Sequence, residues 1–195
     1  MKSLSLSQPH AIVMVGVPGS GKSFFAEKFS ETFNAPYASL EKITPFAKSI
    51  TAANTVFDQH VDQLLKTRQS VVIEGVAASR TARDTFARKA KAANYEVLYV
   101  WVQTDPATAK SRALRKAKDS DTHALTSDQY DKAVRQFNAP TALEKPLVIS
   151  GKHTYATQAK IVLKRLSAPR AEISGHTAAP VRGEEPRRRG NIVVR

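Results

Sequence analysis

Gly16, Gly21, Lys22 and Ser23 stand in the stretch GVPGSGKS, and they match the spacing G-x-x-x-x-G-K-[ST] at every fixed position. Each of these residue types has a task in holding a polyphosphate. Glycines permit turns in which successive backbone N–H groups point inward at phosphate oxygens. A helix starting near Lys22 adds the positive end of its dipole. The lysine ammonium of such a loop reaches the β- and γ-phosphates, and the serine hydroxyl is a ligand for Mg²⁺. The candidate nucleotide-binding segment is Gly16, Val17, Pro18, Gly19, Ser20, Gly21, Lys22, Ser23 and Phe24. A glycine-rich turn with an incidental lysine is the plain alternative. It does not explain the context, an apolar run before the loop and a helical pattern after it.

The loop needs elements to hold it. Short apolar runs occur at AIVMV (Ala11–Val15), VVI (Val71–Ile73), VLYVWV (Val97–Val102) and LVI (Leu147–Ile149), with a weaker candidate at Tyr37–Leu40. None alternates cleanly between apolar and polar residues, which predicts strands buried on both faces, as in a parallel sheet. Helical patterns lie between the runs. Phe25, Phe29 and Phe33 recur every four residues after the loop. Phe46, Ile50, Phe57, Val61, Leu64 and Leu65 predict a long helix or a broken pair. Ser79 is placed to cap a helix reaching about Ala93, and Asp105 to cap another with Pro106 at its first position. Thr126–Phe137 and Tyr155–Leu166 complete the set. Strands alternating with helices predict an α/β domain.

GVPGSGKSFFAEKF resembles the opening of the polynucleotide-kinase-like P-loop kinases, a group broadly placed with AAA-type ATPases. The stretch from Val71 to Lys116 is similar to that group's third strand, helix, fourth strand and lid. Zeta-toxin-like, gluconate and shikimate kinases share the layout. The resemblance covers about residues 10–166. It implies a three-layer P-loop NTPase fold, a five-stranded parallel sheet in the order 2-3-1-4-5 and a helical lid. It also implies transfer of the ATP γ-phosphate to a hydroxyl, with Mg²⁺.

The same resemblance assigns further residues. The family has an Asp about twenty residues after the loop lysine, where it orients or deprotonates the acceptor hydroxyl. Here the stretch reads YASLEKIT, and Glu41 is the nearest acid. The family's acceptor-binding Arg is missing, with Lys42 nearby as a substitute. Glu74 ends VVI at the carboxyl edge of a predicted strand, where open α/β sheets bind ligands. A carboxylate there suits the water shell of Mg²⁺. Arg112, Arg115 and Lys116 share one helical face and correspond to the basic lid residues that neutralise transition-state charge. Arg80 and Arg83 are candidates for an acceptor phosphate. Gly151 and Lys152 follow the last strand, where such kinases touch the adenine. Each of these also has a plain reading, as a helix-start Glu, a strand-end Glu or a solvated basic face.

The chain has 195 residues, enough for one core, and 42% of them are hydrophobic. It has no cysteine, hence neither a disulfide nor a thiolate metal site. Its five histidines are scattered without metal-ligand spacing. No apolar run approaches the ~20 residues of a spanning helix, and the N-terminus, MKSLSLSQPH, makes a poor signal peptide, so residues 1–9 are expected to be a short extension. The expected location is cytoplasmic, with no membrane partner. The net charge of +13 favours polyanionic partners. Residues 167–195 hold six Arg against three Glu, with three Pro and three Gly. That composition predicts a disordered basic tail behind a domain at 10–166. Two functions compete on this reading. One is an ATP-dependent kinase acting on a nucleic-acid 5′-hydroxyl, a nucleotide or a small metabolite. The other is an ATP-binding or ATP-hydrolysing regulatory or nucleic-acid-associated module with no dedicated acceptor. A GTPase is disfavoured, because no N-K-x-D guanine motif appears.

Overall fold

A computed structural model describes residue 6, residues 8–119 (116–119 as backbone only) and residues 125–168. Five strands form one parallel sheet: β1 (His10–Val15), β2 (Tyr37–Ser39), β3 (Val71–Glu74), β4 (Glu96–Gln103) and β5 (Leu147–Ser150). Their order is β2-β3-β1-β4-β5, as the resemblance to P-loop kinases implies. In register, Ile12 lies beside Val72 and Leu98, and Trp101 beside Val148.

Both faces are covered, which is why the strands read as continuous apolar runs. The described residues hold seven α-helices: α1 (Lys22–Phe33), α2 (Leu40–Ile43), α3 (Ile50–Lys66), α4 (Arg80–Ala92), α5 (Pro106–Asp119), α6 (Ser127–Gln136) and α7 (Tyr155–Leu166). Ile12, Met14, Val72, Val100 and Ile149 pack against Phe25 and Phe29 of α1 and Val162 of α7. Ala11, Val13, Val15, Ile73 and Tyr99 pack on the other face, against Phe57 and Val61 of α3 and Phe86 of α4. The cap signals hold as well. Ser79 accepts the N–H of Ala82, Asp105 that of Thr108, and Thr126 forms a full capping box with Gln129.

The pattern from Phe46 to Leu65 is a broken pair rather than one long helix. Phe46 and Ile50 are 91% and 67% exposed, and the buried face of α3 is Ala53, Phe57, Val61 and Leu65. Thr44–Phe46 is a separate single turn of 3₁₀ helix, parted from α3 by extended backbone at Ala47 and at the cap residue Ser49. The expected N-terminal extension and basic tail lie outside the described residues, apart from residues 6, 8, 9, 167 and 168. Among the described residues, no helix is long and apolar enough to cross a membrane.

Candidate active site

Strand β1 ends at Val15, and the chain turns through the loop into α1 at the carboxyl edge of the sheet. Gly16, Gly19 and Gly21 have φ of 144°, 74° and 105°. At Gly19 only glycine fits, because a Cβ would lie 2.0 Å from the carbonyl oxygen of Ala109 on α5. The loop is held from its other flank too. Thr104 donates its hydroxyl to the Ser20 carbonyl at 2.9 Å. Gly151 packs so close that a Cβ there would come within 2.1 Å of that same Ser20 oxygen. Gly21 caps α1 and no side chain bonds the first-turn N–H groups. In a loop of this shape a phosphate takes them. The Ser20 hydroxyl is fully buried and has no hydrogen-bond partner.

The metal candidates meet because of strand alternation. Val72 and Glu74 point to the same face of β3, the face under α1. Glu74 is therefore carried to the start of that helix, where Ser23 Oγ donates to its Oε1 at 2.9 Å. Its Oε2 accepts from the Tyr37 hydroxyl at 2.6 Å. Burial first, and then the Glu74 charge, hold the Tyr37 hydroxyl pKa well above its ordinary value, so it stays a donor. Glu74 is only 4% exposed. Among the described residues no three His, Cys, Asp or Glu side chains cluster as a metal cage. One hydroxyl and one carboxylate beside a phosphate cradle are the donors Mg²⁺ uses when phosphates and water complete its shell. The residues present fit that ion and a nucleoside triphosphate.

One cavity of about 720 Å³ joins these groups to the rest of the site. The loop, Lys22, Ser23, Phe24 and Glu74 line one side, and Glu41 lines it from α2. Arg112 and Arg115 line it from α5. Lys22 Nζ donates to the Val17 carbonyl at 2.9 Å, Arg112 Nη1 to the Gly151 carbonyl at 3.1 Å, and Arg115 Nη2 to Ser111 Oγ at 2.8 Å. The structure thus brings the predicted loop, Glu41, Glu74, Arg112 and Arg115 to one cavity. Lys116 falls within α5, but its side chain lies outside the described residues.

Four basic candidates have acidic neighbours elsewhere. Lys42 pairs with Glu27 at 3.0 Å and sits 5.2 Å from the centre of the Tyr37 ring. Arg80 lies near Asp84, at 3.9 Å. Arg83 is completely buried. Its Nε and Nη2 bond both oxygens of Glu144, and its Nη1 donates to the carbonyls of Ala77 and Asn138. The Arg83 guanidinium pulls the Glu144 carboxyl down to about 2. Lys152 pairs with Asp105 at 2.9 Å, and that contact is the main reason the Asp105 carboxyl lies well below the usual range.

Tyr37, Thr104 and Gly151 carry supporting roles that the sequence did not disclose. For Tyr37 a signal existed in principle. Its strand runs parallel to β3 with Tyr37 beside Val72, two residues from Glu74 on the same face.

A family model described as an AAA domain matches residues 12–140, more than half of the chain. The chain belongs to this AAA-domain family. Among curated proteins none matches the sequence. Solved structures with the same fold are P-loop proteins. A gluconokinase from Sinorhizobium meliloti 1021 is 19% identical, with a TM-score of 0.62 over 81% of this chain and 91% of its own. Kti12 of Chaetomium thermophilum in complex with ADP-AlF3 is 15% identical, with a TM-score of 0.59 over 80% and 96%. The APS kinase CysC of Mycobacterium tuberculosis with AMPPNP and APS is 18% identical, with a TM-score of 0.57 over 83% and 99%. These likenesses agree with the resemblance to polynucleotide-kinase-like P-loop kinases. The AAA-domain chain is accordingly a P-loop protein with a kinase-like fold and a nucleotide-binding loop.

Proposed function

We propose that residues 10–166 form an ATP-dependent phosphotransferase domain that moves the γ-phosphate of ATP to a hydroxyl acceptor. The observation that carries this reading is the single cavity lined by the loop, the Ser23–Glu74 pair, Glu41 and two arginines of α5. A hydrolase needs room only for water beside the γ-phosphate. Here the cavity continues past the loop to Leu40, Thr44, Ala77 and Ala78, enough for an acceptor.

The loop N–H groups and Lys22 hold the phosphates, and Arg112 and Arg115 neutralise charge that develops on the transferring group. Ser23 and Glu74 hold Mg²⁺, which when bound offsets charge on the phosphate oxygens. The acceptor oxygen forms the new bond to the γ-phosphorus. The bond from that phosphorus to the β–γ bridging oxygen breaks and ADP leaves. Glu41 orients the hydroxyl and takes its proton. Much of the rate then comes from positioning.

The test is transfer from γ-labelled ATP with Mg²⁺, offered 5′-hydroxyl RNA and DNA, nucleotides and small alcohols, with Lys22→Ala as control. Label on an acceptor, lost in the variant, supports the reading. Label released only as free phosphate replaces it with an ATP-hydrolysing module.

A further inference from the structure

A second cavity, of about 440 Å³, lies beside the one that holds the loop. Among the described lining residues, Val17 of the loop and Phe137 are common to both cavities and stand between them. The second cavity is built at the carboxyl ends of β4 and β5, with α6 against it. Its apolar side is aromatic. Trp101 lies on the same face of β4 as Tyr99. Tyr99 is 7% exposed, and Val15, beside Trp101 in register on β1, is 1% exposed. Trp101 itself is half-buried, and its neighbour on β5, Val148, is exposed. The indole is thus covered on the β1 side and open toward the cavity, which it lines with Tyr130, Val134 and Phe137. A ring laid against it would supply the burial that its strand neighbours already have.

The polar side comes from the strand ends. Gln103 follows Trp101 by two residues, so it shares that face of β4, and it lines the cavity as an exposed residue. Its backbone carbonyl accepts the Gly151 N–H at 2.7 Å, which anchors the residue. Its carboxamide offers an acceptor oxygen and a donor NH₂ side by side. Asp105 and Lys152 line the same cavity as an ion pair at 2.9 Å. Cavities of about this volume, with an aromatic wall and a few convergent polar groups, hold small ligands. We propose that this cavity is a second ligand site, which takes a flat heteroaromatic ring of the nucleobase class. The ring stacks on Trp101, as bases stack on aromatic side chains. Its donor–acceptor edge pairs with the Gln103 carboxamide, which matches such an edge in both polarity and spacing. The site stands whether or not the chain transfers phosphate. Its occupant touches Val17, whose carbonyl receives Lys22 Nζ at 2.9 Å, so it adjoins the phosphate loop without entering the loop's own cavity.

Trp101 is the chain's one tryptophan, so its fluorescence reports this cavity. The full chain is titrated with free adenine, hypoxanthine, uracil and nicotinamide, first alone and then with Mg²⁺ and a non-hydrolysable ATP analogue at saturation. At least one ring should quench the fluorescence saturably, beyond what it does to free tryptophan, and should do so with the analogue present. Gln103→Ala, a change at an exposed position, should weaken that ring's affinity about 10-fold. Val134→Phe, which fills the cavity from α6, should weaken it at least as much, with circular dichroism checking that each variant folds. Gln103→Ala decides alone if Val134→Phe does not fold. Quenching that the analogue abolishes would make the cavity part of the nucleotide site and overturn the proposal. No saturable quenching by any of the rings, or an affinity that either folded variant leaves unchanged, would overturn it as well.

Discussion

The two walls of the cavity are fixed by different means. The loop wall is held by its own backbone: three glycines at positive φ, with α5, Thr104 and Gly151 pressed against it. The other, facing wall, formed by Leu40, Thr44, Ala77, Ala78, Ala133 and Phe137, is held mainly across distant segments. It is pinned from behind by Arg83, whose Nη1 joins the carbonyl of Ala77 to that of Asn138 while Glu144 holds its other edge. A second tie runs from the Asn138 N–H to the Ala78 carbonyl at 3.0 Å. On the proposed function, one wall would hold the nucleotide and has its geometry in consecutive residues. The other would hold the acceptor, and its shape depends on contacts between distant segments. Generic phosphate binding can be built locally, whereas specificity here requires the tertiary structure.

The sharpest break in this comparison is at Lys22. Lys22→Ala should lower ATP turnover by about 10³-fold while leaving the unfolding temperature nearly unchanged, because the lost charge acts on the phosphates. Steady-state kinetics beside a thermal melt checks both halves. The counterpart on the facing wall is Glu144→Ala, which strands a buried guanidinium and should cost about 3 kcal/mol of stability. Urea titration measures it. The pair also predicts a pH dependence. The Glu144 carboxyl sits at about 2 in the folded chain against an ordinary 4.5. Its contribution is therefore complete above the ordinary value and is lost as pH falls toward the folded one. The stability gap between wild type and Glu144→Gln should narrow steadily over that acidic window.

The same division governs what could be read in the sequence. Gly16, Gly21, Lys22 and Ser23 announce themselves because their chemistry is set by spacing along the chain. The strand order followed because buried parallel strands leave continuous apolar runs and the resemblance supplied the connections. Arg83, which the sequence offers with Arg80 as a candidate for an acceptor phosphate, is instead buried against Glu144. Nothing near it in sequence shows its partner, since Glu144 lies 61 positions away in a short turn. The ion pair of Lys42 was hidden for a similar reason, its partner Glu27 belonging to a different helix. Phe46 and Ile50 fitted a helical period, yet Phe46 ends a separate 3₁₀ turn and Ile50 stands on the exposed face at the start of α3.

Glu41 probes the facing wall directly. Glu41→Gln keeps the size of the side chain and removes its capacity to take a proton. Transfer to the acceptor should fall about 10²-fold, with the KM for ATP unchanged. Measuring label transfer and ATP affinity together separates this from damage to the loop. Equal losses in both would move Glu41 to the nucleotide side and erase the division between the walls.

The smallest expected effect lies where the walls meet. Tyr37 belongs to β2, which leads into the facing wall, yet its hydroxyl bonds the Glu74 carboxylate on the loop side. Tyr37→Phe leaves the ring packed and removes only that hydroxyl. Glu74 keeps its bond from Ser23 and loses the second, so its carboxylate is less firmly oriented. Groups that orient a metal-binding carboxylate typically alter affinity by ~10-fold or more. The Mg²⁺ concentration for half-maximal turnover should therefore rise about 10-fold, with maximal turnover restored at saturating Mg²⁺. Restoration is the informative part, because a merely structural defect would not be relieved by metal. A turnover deficit that persists at saturating Mg²⁺ would mean that Tyr37 shapes the facing wall instead, and the two walls would then share a common support.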